Sequence, residues 1–135
     1  MQRERNSGAN IIMTLIDTSS LVHFLRRKGD SQVKQRVKAL LLGGEVATCD
    51  MVAVELFQGV GSEQDQQQID RLTKNMIWLP TNDAVWKRAR QLATQCRQAG
   101  TPVPASDILI AACAHENGAE LDFEDAHFET LLAYR

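Results

Sequence analysis

A chain of 135 residues with a formal net charge of -2, 44% hydrophobic and 24% charged side chains has the length of one domain and the composition of an ordinary soluble globular protein. Eight glycines and three prolines are too few for a low-complexity or linker-rich chain, and no apolar stretch approaches the ~18 residues of a membrane span. The three cysteines, Cys49, Cys96 and Cys113, are odd in number and lack C-x-x-C spacing. That argues against a disulfide framework and a zinc site, and for reduced core thiols in a cytoplasmic protein.

The start, Met1 to Asn10, is hydrophilic and the apolar run behind it is too short for a signal peptide. Residues 1–11 therefore read as a flexible extension, with Met13 a second candidate start, and residues 12–135 as a single domain. Charge is unevenly spread. Residues 26–38 carry Arg26, Arg27, Lys28, Lys34, Arg36 and Lys38 against one acid, Asp30. From Gln98 to Tyr134 there is no Lys or Arg, but Asp107, Glu116, Glu120, Asp122, Glu124, Asp125 and Glu129 are present. The basic stretch could attract a polyanion, which the acidic one would repel unless cations intervene.

In chain order, the apolar run through Ile16 is a buried strand that stops at Asp17, where Thr18, Ser19 and Ser20 follow. Helices are expected over residues 18–27 and 31–42, broken by Gly29-Asp30 and stopped by Gly43-Gly44. Residues 46–48 form a second strand, and Asp50 can cap a helix through residue 58. Glu55 is the only charge in the apolar run of that helix and must be paired, protonated or bound to a cation if it is buried. Ser62 and Asp65 resemble a capping box for a polar helix ending near residue 74, and residues 76–79 form a third strand ended by Pro80. The helix over residues 83–99 has the clearest period, with Val85, Ala89, Leu92 and Cys96 on one stripe and Asn82 as a possible cap. After the rigid loop at 100–104, a helix capped by Ser106 is apolar nearly all round and should pack centrally, with Asp107 in its first turn. A fourth strand is expected over residues 119–121, with Asp122 in the loop behind it and a short last helix starting at Asp125.

The resulting order, β-α-α-β-α-α-β-α-α-β-α, implies a parallel sheet covered on both faces. The ends of its strands share one edge, so Asp17, Glu55, Asp107 and Asp125 can meet although they are far apart in sequence. Clustered carboxylates repel, and a hard divalent ion such as Mg²⁺ or Mn²⁺ removes that cost. His23, His115 and His127 have no ligand-like spacing, which leaves an all-oxygen donor set. Such a site suits phosphodiester hydrolysis, where the ion polarises the phosphate and activates water.

Four stretches carry a resemblance: Leu-Ile-Asp17-Thr-Ser-Ser, Val-Ala-Val-Glu55-Leu, Asp107-Ile-Leu-Ile-Ala-Ala-Cys-Ala and Asp125-Ala-His-Phe-Glu. In this order and spacing the chain resembles a PIN-domain ribonuclease, and specifically a VapC-type toxin of a toxin–antitoxin pair. The resemblance implies a three-layer α/β/α sandwich around a parallel sheet of four to five short strands. It also implies a metal-dependent endoribonuclease that leaves a 5′-phosphate, acts as a homodimer and is silenced by a cognate antitoxin. Asp17 and Asp107 would ligate the metal directly, Asp125 would complete the shell, and Glu55 would orient or deprotonate a water. Thr18 or Ser19 would steady Asp17. One departure leaves the fourth acid open among Asp122, Glu124 and Asp125: Phe123 stands where the family usually has Thr or Ser. A receiver-like signalling domain would need a Lys near the site, and there is none after Lys87. A haloacid-dehalogenase-type phosphatase would need an acid where Ser19 stands, and a catalytically idle fold member would have no use for the retained acids.

Overall fold

The central strand, β1 (Met13–Ile16), is hydrogen-bonded on both edges, and apart from Thr14 its side chains are apolar. The structure is a computed structural model that describes residues 12–134; the expected extension at residues 1–11 lies outside them. After β1 come α1 (Thr18–Leu25), α2 (Ser31–Gly43), β2 (Glu45–Thr48), α3 (Asp50–Gln58), α4 (Glu63–Lys74) and β3 (Ile77–Trp78). The chain then forms α5 (Asp83–Gln98), α6 (Ala105–Glu116), β4 (Glu120–Asp122) and α7 (His127–Leu132). The expected order of elements is reproduced throughout.

The strands form one parallel sheet in the order β3-β2-β1-β4. Right-handed crossovers put the helices of the steps β1 to β2 and β2 to β3 on one face. The step from β3 to β4 runs back across the sheet, so α5 and α6 lie on the other face, completing three layers. This reversal opens a crevice at the carboxyl ends of β1 and β4, the place where open α/β sheets bind ligands. Asp17 stands at the end of β1, and its backbone N–H donates to the Asp122 carbonyl of β4 at 2.8 Å.

The core joins Leu15 and Ile16 of β1 to Val52 and Leu56 of α3, Ile110 and Cys113 of α6, and Phe128 and Leu131 of α7, all buried. The α5 stripe of Val85, Ala89, Leu92 and Cys96 is buried as its period requires, and all three cysteines are buried free thiols. Among the described residues, no helix is long and apolar enough to cross a membrane.

Several boundaries differ from expectation for identifiable reasons. β3 shrinks to Ile77–Trp78 because it is an edge strand with both residues exposed, although the Leu79 N–H still reaches the Thr48 carbonyl at 2.9 Å. Asp50 lies inside α3, whose N-cap is Cys49 with no side-chain bond. Ser106 likewise lies inside α6, because Pro104 holds the cap position and its carbonyl accepts from the Ile108 N–H at 3.1 Å. Asp122 belongs to β4, in register with Ile16, rather than to the loop behind it. Asp125 precedes α7. Ser62 and Asn82 do cap their helices, accepting from the N–H groups of Asp65 and Val85.

The turn between α1 and α2 depends on Gly29, where an added Cβ would collide with the backbone carbonyl of His23. Gly29→Ala is therefore expected to lower the unfolding free energy by about 1–3 kcal/mol. Urea denaturation should show a lower midpoint with an unchanged slope.

Candidate metal centre

Asp17 is only 2% exposed. It caps α1: its Oδ2 accepts the Ser19 N–H at 2.9 Å and the Ser19 hydroxyl at 2.6 Å. Its other oxygen, Oδ1, is buried with no hydrogen-bond partner, an arrangement shared among the described residues only by Thr48 Oγ1. Burial is the main reason the Asp17 carboxyl is pushed up from 3.8 to about 6; the Ser19 bonds oppose the rise and the charge of Asp107 adds to it.

Asp107, in the first turn of α6, is 7% exposed. Burial raises its pKa, and the charges of Asp125 and Glu55 raise it further, while the bond to His127 lowers it. The four sequence-predicted acids are thus brought into one electrostatic cluster. Glu55 is not enclosed by α3, as the apolar run had implied; it is half-buried, and its neighbour Val54 is exposed. Its Oε1 accepts the Thr18 hydroxyl at 2.7 Å. The two hydroxyls after Asp17 therefore divide the work: Ser19 holds Asp17, and Thr18 ties α1 to Glu55.

Of Asp122, Glu124 and Asp125, the first two are paired with Arg36 of α2. Its Nε donates to Asp122 Oδ2 at 2.8 Å, and its Nη2 reaches Asp122 Oδ1 at 3.0 Å and Glu124 Oε2 at 2.6 Å. The Ser20 hydroxyl also donates to Asp122 Oδ1 at 2.7 Å. These contacts raise the pKa of Arg36. Asp122 and Glu124 are consumed as its counterions, which leaves Asp125 facing Asp107. The Glu124 N–H donates to Ser19 Oγ at 2.9 Å, so the β4–α7 loop is fastened to the residue that holds Asp17. Its charge had marked Arg36 as a surface base, which it is; only the fold reveals that it also clamps the β4–α7 loop.

His127 was passed over for want of spacing, yet its Nδ1 lies 3.0 Å from Asp107 Oδ2 and 2.8 Å from Asp125 Oδ1. An ionised carboxylate only accepts, so Nδ1–H donates to Asp107 Oδ2, while Asp125 Oδ1 accepts the His127 backbone N–H at 3.0 Å. The sequence signal was its place two residues after Asp125, which becomes informative only once the loop lies against α6. The donor atoms of Asp107, Asp125 and His127 all lie within 4.8 Å of one another, close enough to hold a metal ion. A divalent cation fits this chemistry: it would satisfy the orphaned Asp17 oxygen and relieve the mutual repulsion of the carboxylates.

The comparisons agree with this geometry. The PIN domain family model matches residues 14–131. Ribonuclease VapC11 of Mycobacterium tuberculosis is 32% identical over 123 residues, covering 88% of this chain and 91% of the relative. The chain belongs to the PIN-domain family, within its VapC-type branch. VapBC2 from Rickettsia felis, solved bound to a DNA fragment from its promoter, superposes with a TM-score of 0.74 at 19% identity, covering 88% of this chain and 92% of that one. A toxin–antitoxin complex from Klebsiella pneumoniae gives 0.69 at 18% identity, covering 84% and 87%. Family membership sets aside the receiver and phosphatase readings, and PIN nucleases generally use divalent metals.

Two predictions follow from the burial and the clamp. Folded Asp17 keeps its proton to about pH 6, whereas the unfolded chain releases it near 3.8. The folded state therefore binds more protons between these values, and metal-free stability should fall as pH rises through that window, by up to ~3 kcal/mol. Asp17→Asn, which keeps a capping oxygen, should flatten the profile and raise the metal-free melting temperature at pH 7.5. For Arg36→Met, loss of the counterion of two acids should cost about 1–2 kcal/mol, the partial exposure of the group limiting the effect. Amide exchange should quicken in residues 122–126 and leave α5 unchanged.

Proposed function

We propose that Asp17, Glu55, Asp107 and Asp125 form the Mg²⁺ or Mn²⁺ site with which this VapC-type PIN-domain ribonuclease hydrolyses RNA phosphodiester bonds in the cytoplasm. The observation that carries this reading is the buried, unpartnered Oδ1 of Asp17, on a carboxylate that feels the charge of Asp107, which in turn feels Glu55 and Asp125. Asp17, Asp107 and Asp125 would hold the ion directly. When bound, the ion would supply Lewis-acid stabilisation of the charge that develops on the phosphate.

The chain's own groups do the rest. Ser19 fixes Asp17 through two bonds, so the carboxylate needs no reorganisation on binding. Thr18 orients Glu55 through Oε1, and Glu55 Oε2 takes the proton of the attacking water. The P–O3′ bond breaks, leaving a 5′-phosphate and a 3′-hydroxyl. Exposed Arg26, Arg27, Lys28 and Lys38 on the α1–α2 hairpin would take backbone phosphates, offsetting the repulsion between RNA and the acids.

A pocket is lined by Val22, Leu25, Arg26, Glu55, Leu56 and Ile69. We assign it to a segment of a cognate antitoxin, whose basic side chain would enter the carboxylate cluster and compete with the cation. The family resemblance supports a homodimer as the working unit.

Purified protein should cleave RNA with Mg²⁺ or Mn²⁺ and lose the activity with chelator. Asp17→Asn and Asp107→Asn should each lower cleavage at least ~100-fold, and Glu55→Gln should lower turnover while metal still binds. Metal-independent cleavage, or cleavage surviving both Asp→Asn changes, would overturn the assignment.

A further inference from the structure

We infer that His127 is a direct ligand of the metal centre through Nδ1, and that this nitrogen biases the site toward transition-metal dications over Mg²⁺. The inference rests on the metal site proposed above and adds to it a residue outside the acidic set. Neighbouring corners of a coordination octahedron with bonds of about 2.1 Å are about 3 Å apart. The distances from His127 Nδ1 to Asp107 Oδ2, 3.0 Å, and to Asp125 Oδ1, 2.8 Å, match two such edges. The same Nδ1 atom thus sits where a cation held by both carboxylates must find its third neighbour. An independent observation points to a cation nearby: Asp17, only 2% exposed and close enough to Asp107 to feel its charge, has an Oδ1 with no hydrogen-bond partner.

Coordination needs no large movement. The Nδ1–H that donates to Asp107 gives way to the Nε2–H tautomer, and the Nδ1 lone pair faces the ion. Its position is fixed by the backbone as well: the His127 N–H donates to Asp125 Oδ1 at 3.0 Å, and Phe128, the next residue of α7, is fully buried. Imidazole nitrogen favours later first-row ions, whereas Mg²⁺ demands oxygen, so one nitrogen ligand changes the order of preference rather than the total affinity alone.

Pulsed EPR of the full-length protein loaded with Mn²⁺ should show ¹⁴N modulation from a directly bound imidazole, absent from His127→Ala. In calorimetric titrations His127→Ala should lose about tenfold or more in Co²⁺ affinity while Mg²⁺ affinity changes less than about threefold. His127→Gln, which retains bulk and helix propensity, guards against a folding defect and should behave the same way. Mn²⁺ binding that is abolished by Asp107→Asn but shows no ¹⁴N coupling overturns the His127 inference and leaves the acidic site standing. Absence of Mn²⁺ binding, or binding untouched by Asp17→Asn and Asp107→Asn, overturns both.

Discussion

The constraint on which the rest of this structure depends is the burial of the Asp17 carboxylate with only one of its oxygens satisfied. A charge removed from water without full compensation is costly, and here the cost is felt as a carboxyl that holds its proton to about pH 6. The surrounding architecture keeps that arrangement from collapsing. β1 is hydrogen-bonded on both edges, so the backbone at Asp17 cannot shift to bring Oδ1 to solvent. Ser19 directs both its backbone and its side-chain donor to Oδ2, leaving Oδ1 buried and without a partner. A fold that merely needed a helix cap at this place would have no reason to bury it so deeply, because an exposed cap satisfies the same backbone groups.

A crowd of acids also has to be kept apart from itself, and Arg36 does this by partition. Between β4 and α7 the chain offers Asp122, Glu124 and Asp125 within four residues. Arg36 takes the first two, which removes their charge from the cluster and fixes the loop, so that the third is presented to Asp107. Because Glu124 also bonds Ser19 through its backbone, the clamp and the Asp17 anchor belong to one connected network. The bases of the α1–α2 hairpin therefore serve two ends: Arg36, though exposed, is tied to Asp122 and Glu124 and fixes the loop, while Arg26, Arg27, Lys28 and Lys38 are exposed without such pairs among the described residues.

What the sequence made legible follows from period and local chemistry. The α5 stripe, the all-round apolar α6 and the strand that stops at Asp17 each carry a signal within a dozen residues, and each took its expected place. What escaped is non-local. Nothing within reach of Arg36 in the chain announces a partner 86 residues away, and His127 acquires meaning only when α7 lies against α6. Glu55 is a related case: the apolar run required a partner for it if buried, and it is half-buried with a partner, Thr18, supplied by α1. At the caps, Asp50 and Ser106 had the right chemistry, and backbone geometry at Cys49 and Pro104 decided otherwise.

The sheet order explains why such scattered residues meet at all. In a parallel sheet wound in one direction only, the segments after successive strands spread along the edge. Here the return from β3 to β4 sets β4 beside β1, the first strand of the sheet, and brings the last loop of the chain next to its first helix. α6 ends that return step on the opposite face and contributes Asp107; α3, packed on α1, contributes Glu55. Each acid thus comes from a different segment, and Asp17 and Asp107 are themselves buried. That burial suits a site whose carboxylates are to stay close while their charges push them apart, and it makes a cation the cheapest remaining way to relieve the repulsion.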